Sequence, residues 1–274
     1  MDSDQSPVRI IVPDGIEGRF IVAVPHTGKE IPEEGIVRDV LDLEKIAMLE
    51  DDRFPWEIYS PLVQYGGLVV ASRFHRYVVD LNRSPNEAGE QGVLREVNFS
   101  GTKVVRRPYT EQERELVLSR YWHPYHDALQ KAIDSQLQLA NEQGTESVFL
   151  LAGHTMMGRG TGLHVDKGQQ RADICLGTLD DKIASCKVIA AFEEVLRESA
   201  RKAGMSFAKN WPYRGNGHIT SHYSQQQGVE VLQVEVSQDT CVRDGAIPVV
   251  QGIIAEATMA VLDEMYRPMP SPLR

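Results

Sequence analysis

Cysteine is scarce in this chain. Three residues in 274, Cys175, Cys186 and Cys241, are an odd number at wide spacing, and no CxxC pair occurs. The pattern does not suggest a disulfide framework, gives a thiolate zinc site no support, and fits a reducing cytoplasm. Positive charge is also short: 29 Lys and Arg stand against 39 Asp and Glu, a formal net charge of −10. An acidic surface is a poor partner for nucleic acid or anionic membrane, although a local positive pocket can still take a small anion. Met1–Pro7 lacks a basic region with an apolar run behind it, and no stretch approaches the ~20 apolar residues that span a bilayer. The expectation is a cytoplasmic protein. The glycine-rich stretch Gly158–Gly162 lacks the GKS or GKT ending of a phosphate loop, and no G-x-S-x-G elbow marks a serine hydrolase. Repeats, low-complexity blocks and linkers are absent as well.

What is present is an ordinary globular balance, 42% hydrophobic and 25% charged. Short apolar runs bounded by turn residues predict buried strands at Phe20–Val24, Leu68–Ala71, Ser147–Ala152 and Val231–Val236, and the run Arg76–Asp80 reads as another. Helical stretches are expected at Val40–Glu50, Pro55–Tyr65, Ile183–Arg201 and Gly252–Met265. Thr110 and Glu113 form a capping box that opens a long helix to about Asn141, with Pro124 predicting a kink or break near Trp122–His123. Ser84–Pro108, Gly158–Gly177 and Asn210–Gly228 have no period and read as loops. Alternating strands and helices predict one α/β domain over residues 19–266, with an extension at 1–18 and a tail at 267–274.

Polar residues recur at the ends of these strands: His26, Asn82–Arg83, His154 and Glu235. The carboxyl ends of strands in an open α/β sheet form the usual ligand crevice. His26 and His154 each follow an apolar run. Either can be a structural imidazole or a metal ligand, and the acids Glu50, Asp51 and Asp52 are a nearby supply of carboxylate or simply solvated. In Val231–Val236 the period of two puts Gln233 and Glu235 on one face, away from Leu232, Val234 and Val236. A carboxylate there needs a partner or a task such as general base. Arg76 and Arg83 frame Asp80; each can pair with it or grip a substrate carboxylate or oxyanion. Arg214 and His218 lie in a glycine- and aromatic-containing loop and are candidates for substrate binding.

These pieces, taken in order, resemble the N-formylglutamate amidohydrolase (deformylase) family. The resemblance is carried by Val24–Gly28, Ser72–Tyr77, Asp80–Arg83, Tyr121–His126, His154–Met156, Asp173–Thr178, Tyr213–Thr220 and Gln233–Glu235. It covers about four-fifths of the chain. The family looks related to the zinc carboxypeptidases and aspartoacylases. The resemblance therefore implies a three-layer α/β/α fold with a central mixed sheet, zinc-carboxypeptidase-like. It also implies a Zn2+ ion held by His26, His154 and a third ligand, with Asp52 chosen ahead of Glu50 and Glu30. Glu235 corresponds to the general base, Arg76 to the oxyanion-stabilising arginine, and Asn82 and Arg83 to the clamp on the substrate carboxylate. The implied activity is zinc-dependent hydrolysis of an N-acyl amino acid such as N-formylglutamate. The alternatives are another N-acyl, peptide-like or ester substrate, and a non-catalytic binding protein. Departures from the pattern are Thr27 for Ser, Ala152 for an Asp, Arg53 for a Trp, and Asn216 for a Gly.

Overall fold

Runs of Val, Ile, Leu and Phe too short for a helix build one seven-stranded sheet. The computed structural model describes residues 6–14, 20–47 and 53–266. The tail at 267–274 and Glu50, Asp51 and Asp52 lie outside the described residues. The strands are β1 (Val8–Ile11), β2 (Phe20–Val24), β3 (Gly67–Ser72), β4 (Val148–Met156), β5 (Ile174–Gly177), β6 (Phe207–Lys209) and β7 (Val229–Ser237). Their spatial order is β1-β3-β2-β4-β7-β5-β6. The four central strands β3, β2, β4 and β7 are parallel, while β1 pairs antiparallel with β3 and β5 antiparallel with β7, β6 then joining β5 in parallel, so the sheet is mixed as expected.

The helices are α1 (Ile36–Val40), α2 (Leu43–Ala47), α3 (Pro55–Tyr59), α4 (Glu111–Val117), α5 (His123–Glu142), α6 (Cys186–Lys202), α7 (His218–Tyr223), α8 (Gln238–Cys241) and α9 (Ala246–Met265). They cover both faces of the sheet. Alternate side chains of each strand go to opposite faces. One core joins Ile21, Ala23, Leu150 and Val231 to Tyr125, Leu129 and Ile133 of α5. The other joins Val22, Val24, Leu151, Leu232 and Val234 to α3, α6 and α9. The α/β class with a central mixed sheet thus stands.

Several local readings are corrected. Arg76–Asp80 is not a strand: the Val78 N–H closes a turn onto the His75 carbonyl at 2.8 Å. Strand β4 runs four residues beyond Ala152, because its pairing with β7 continues to Met156 opposite Ser237. Val8–Ile11, placed in an extension by the sequence, is one edge strand of the sheet. Near Pro124 the helix does not break. Proline cannot donate to the carbonyl four residues back, and its ring crowds it. The chain widens instead into a π turn over Leu118–Trp122, with the His123 N–H donating to Leu118 O. The capping box is present, Thr110 accepting from Glu113 N and Glu113 from Thr110 N. Among the described residues, α9 is long and apolar enough by length and composition to cross a membrane, contrary to the reading from sequence. Val250, Ile254, Val261 and Leu262 on it are fully buried in the second core.

Candidate active site

Three parallel strands end side by side at the site. β2 stops at Val24, and Pro25 carries the chain into His26. Thr27 fixes this turn by donating its hydroxyl to Ser72 O at the end of β3, 2.7 Å away. Gly28 lies against β3's exit, where a Cβ would come within 2.2 Å of Phe74 O, so the close approach admits no side chain. His154 and Glu235 are direct partners in the β4–β7 register. Both point to the α5 face of the sheet, the face that Leu150 and Val231 share with them by alternation. Behind them the buried Tyr59 hydroxyl sits between His154 O and Val234 O at 3.0 and 2.9 Å, holding the two strands together from the other face.

These elements enclose a pocket of about 220 Å³ whose walls include His26, Arg76, Asn82, Arg83, His154 and Glu235. Asp80 is its hub. The Asp80 carboxylate accepts from His26 Nε2 at 2.8 Å, Arg76 Nη2 at 2.8 Å, Arg95 Nη1 at 3.3 Å and the Asn82 N–H at 3.1 Å. Burial opposes ionisation, but Arg76, His26 and Arg95 together hold the carboxyl well below the usual carboxylate range. An ionised Asp80 only accepts, so the His26 proton facing it is on Nε2. Arg95 is itself almost fully buried, and its Nε and Nη2 have no hydrogen-bond partner among the described residues. Its guanidinium lies 4.7 Å from the Phe99 ring centroid, and that of Arg76 lies 5.0 Å from it.

Glu235 accepts from Gln233 Nε2 at 3.0 Å, and the Gln233 Oε1 is buried without a partner among the described residues. Cys175 is opposite Glu235 in the β5–β7 register. Burial, and then the Glu235 charge, push its thiol up to about 12, and it donates to Trp211 O at 3.1 Å. A thiol in that state is no nucleophile. Arg83 is half-exposed and pairs with Glu87 at 3.0 Å, a contact a stronger anion can displace.

The structure brings together His26, Arg76, Asn82, Arg83, His154 and Glu235. Two residues expected to bind substrate are placed elsewhere. Arg214 is 56% exposed and pairs with Asp180. His218 stacks on His222 at 4.9 Å between ring centroids. Neither lines the pocket. Asp52 falls outside the described residues, and Glu30 is engaged by Arg9 and Arg73 at 3.1 and 2.7 Å. Sequence reasoning missed Arg95, Phe99 and His164; all three lie in stretches without a period, where nothing signals which way a side chain points.

The zinc reading is corrected too. The two histidines do meet, with ring centroids 5.1 Å apart, edge to face. His26 Nε2, however, is committed to Asp80, and Asn82 Nδ2 lies 3.4 Å from His154 Nε2. Among the described residues no group of three His, Cys, Asp or Glu is placed to hold a metal ion. A closed zinc-ligand set needs at least three such donors converging. The expected Zn2+ cofactor and the metal-dependent form of the hydrolase therefore do not hold.

Comparison with known proteins agrees with the fold. The sequence profile of the N-formylglutamate amidohydrolase family matches residues 18–242. The chain is 28% identical over 261 residues to the N-formylglutamate deformylase of Pseudomonas putida, covering 92% of each. It is 29% identical over 258 residues to that of Pseudomonas aeruginosa, covering 90% of each. The crystal structure of N-formylglutamate amidohydrolase from Ralstonia eutropha JMP134 superposes with a TM-score of 0.79 at 18% identity, over 96% of this chain and 100% of that one. A gene product of Agrobacterium tumefaciens gives 0.71 at 16% identity, over 96% and 97%. At such identities the structural matches show the shared fold, a mixed α/β architecture around a central sheet. With the profile spanning most of its length, the chain belongs to the N-formylglutamate amidohydrolase family.

Proposed function

We propose that this protein hydrolyses the amide bond of a small anionic N-acyl amino acid, of which N-formylglutamate is the leading candidate. One observation carries the reading. Glu235 and His154 are locked in register at the carboxyl ends of β4 and β7, in one pocket with the cations Arg76 and Arg83. The relatives' names give the amide and the acid, and the pocket gives groups for both. The wider kinship with zinc carboxypeptidases and aspartoacylases is without support from the comparisons, so the chemistry is built from this chain's residues alone. The three cysteines are free thiols, which suits the reducing cytoplasm that belongs to the same proposal.

In this mechanism Arg83 releases Glu87 and takes the substrate carboxylate with its planar fork, while the Asn82 amide adds a further donor. The acyl carbonyl lies toward Arg76. Gln233 Oε1 accepts the substrate's amide N–H. Water between Glu235 and the acyl carbon gives its proton to the carboxylate as its oxygen attacks. The C–O bond forms, and the negative charge developing on the carbonyl oxygen is met by the Arg76 guanidinium, already oriented by Asp80. Protonated Glu235 then delivers that proton to the nitrogen as the C–N bond breaks. Formate, or another acyl acid, and the free amino acid are the products.

The experiment is a kinetic comparison of N-formyl-L-glutamate with its diamide, which keeps the formyl amide and loses both carboxylates. The carboxylate substrate should turn over with kcat/KM at least about 10-fold higher, the worth of one charge-assisted contact. Equal values remove the carboxylate clamp, and absence of turnover on any N-acyl amino acid removes the amidohydrolase reading.

A further inference from the structure

Asn82 and Arg83 belong to no strand or helix, yet the strip they occupy is held at every carbonyl. Leu81 O accepts from His126 Nε2 at 3.0 Å. Asn82 O accepts from the His218 N–H at 2.9 Å. Arg83 O accepts from Trp122 Nε1 at 3.0 Å. Three consecutive carbonyls are thus gripped from behind, by α5, by α7 and by the π turn between α4 and α5. Both side-chain donors are buried and stack on each other, with ring centroids 3.9 Å apart and planes 27° from parallel.

The same anchoring fixes which end of the Asn82 amide meets the pocket. The Ile219 N–H, which can only donate, points to Asn82 Oδ1 at 3.1 Å. Nδ2 is therefore the end left toward His154. Gly217 makes this approach possible: a Cβ there would sit 2.3 to 2.5 Å from the amide atoms. His126 is just as determined. Leu81 O can only accept, so the His126 proton facing it is on Nε2, while Nδ1 lies 3.0 Å from the Tyr223 hydroxyl. The π turn sets Trp122 over His126, four residues on. Wide turns of this kind cost hydrogen-bond geometry and are found at functional sites.

We propose that Trp122 and His126 are positioning residues that aim Asn82 and Arg83 into the pocket and so set its preference for a carboxylate substrate. The inference rests on the reading of Arg83 and Asn82 as the carboxylate clamp, and its test separates the two. Trp122→Phe keeps the aromatic stack and deletes one donor. His126→Phe keeps the ring and deletes the other. His126→Gln retains an N–H able to reach Leu81 O. Arg83→Lys tests the clamp directly.

With N-formyl-L-glutamate, Trp122→Phe and His126→Phe should each raise KM about 3- to 10-fold, the worth of one hydrogen bond, with kcat within about 2-fold. The preference for the acid over its diamide should fall by the same factor. His126→Gln should restore most of both. If Arg83→Lys leaves the acid preference intact, the clamp itself is wrong and the inference goes with it. If Arg83→Lys abolishes the preference but the Phe variants depress both substrates alike, the two aromatics only support the fold and the inference fails alone. Failure of His126→Gln to improve on His126→Phe overturns the role of the Leu81 hydrogen bond in the same way.

Discussion

Asp80 is the residue on which the pocket turns. It is 1% exposed and accepts from three side chains that are themselves buried or nearly so. Removing its charge leaves the Arg76 and Arg95 cations with no carboxylate between them, and breaking a buried charge cluster costs about 3–5 kcal/mol. Asp80→Asn should therefore lower unfolding free energy by about that amount in urea melts at pH 7. A loss under about 1 kcal/mol would mean that water, not Asp80, solvates the two guanidiniums. The sequence showed Asp80 framed by Arg76 and Arg83 and left open whether either pairs with it. Arg76 does; Arg83 turns instead to Glu87. The third cation, Arg95, was illegible because it comes from a loop with no period. His26, His154 and Glu235 were legible for the opposite reason: each is fixed by the end or the alternation of an apolar strand. What the strands did not disclose was direction beyond their own faces. His26 comes to face Asp80 rather than a metal, and Arg214 and His218, chosen for their loop, pair with Asp180 and stack on His222 without lining the pocket.

At the scale of elements, the long apolar strands and the capped helices could be read, and the short edges could not. β1 and β6 are four and three residues long, too short for a period to declare itself. α7, six residues in an aromatic loop, was missed as well, though it supplies the backbone donors that hold Asn82. The packing of α5 against α7 also has a pH signature. Burial, then the neighbouring His218, lowers His126 to about 3, and burial and His222 lower His218 to about 4. An unfolded histidine takes a proton below about 6.5, whereas these stay neutral when folded until far lower. The unfolded state therefore binds more protons in that interval, and stability falls as pH falls from 6.5 toward 4. Each such group contributes a slope of up to about 1.4 kcal/mol per pH unit. His126→Gln should flatten the slope between pH 6.5 and 4.5 by about that amount in urea titrations. An unchanged slope would show that His126 protonates as freely in the folded protein as outside it.

For the molecule as a whole, net charge and site charge have opposite signs. The chain carries −10, while the pocket wall presents Arg76 and Arg83 together with the carboxylate of Glu235, and Asp80 is neutralised by its partners. That division suits an enzyme that admits a small anion and repels polyanions. In the proposed reaction Glu235 takes a proton from water and returns it to the leaving nitrogen. Glu235→Gln is nearly isosteric, and the Gln233 amide beside it can reorient to meet the new carboxamide. The decisive measurement is steady-state hydrolysis of N-formyl-L-glutamate by this variant beside the parent, with folding checked by thermal melt and substrate binding by calorimetry. The account predicts a folded variant that still binds substrate, with kcat and kcat/KM falling together by about 10²- to 10⁴-fold. Turnover at the parental rate by a folded, substrate-binding Glu235→Gln protein would contradict it.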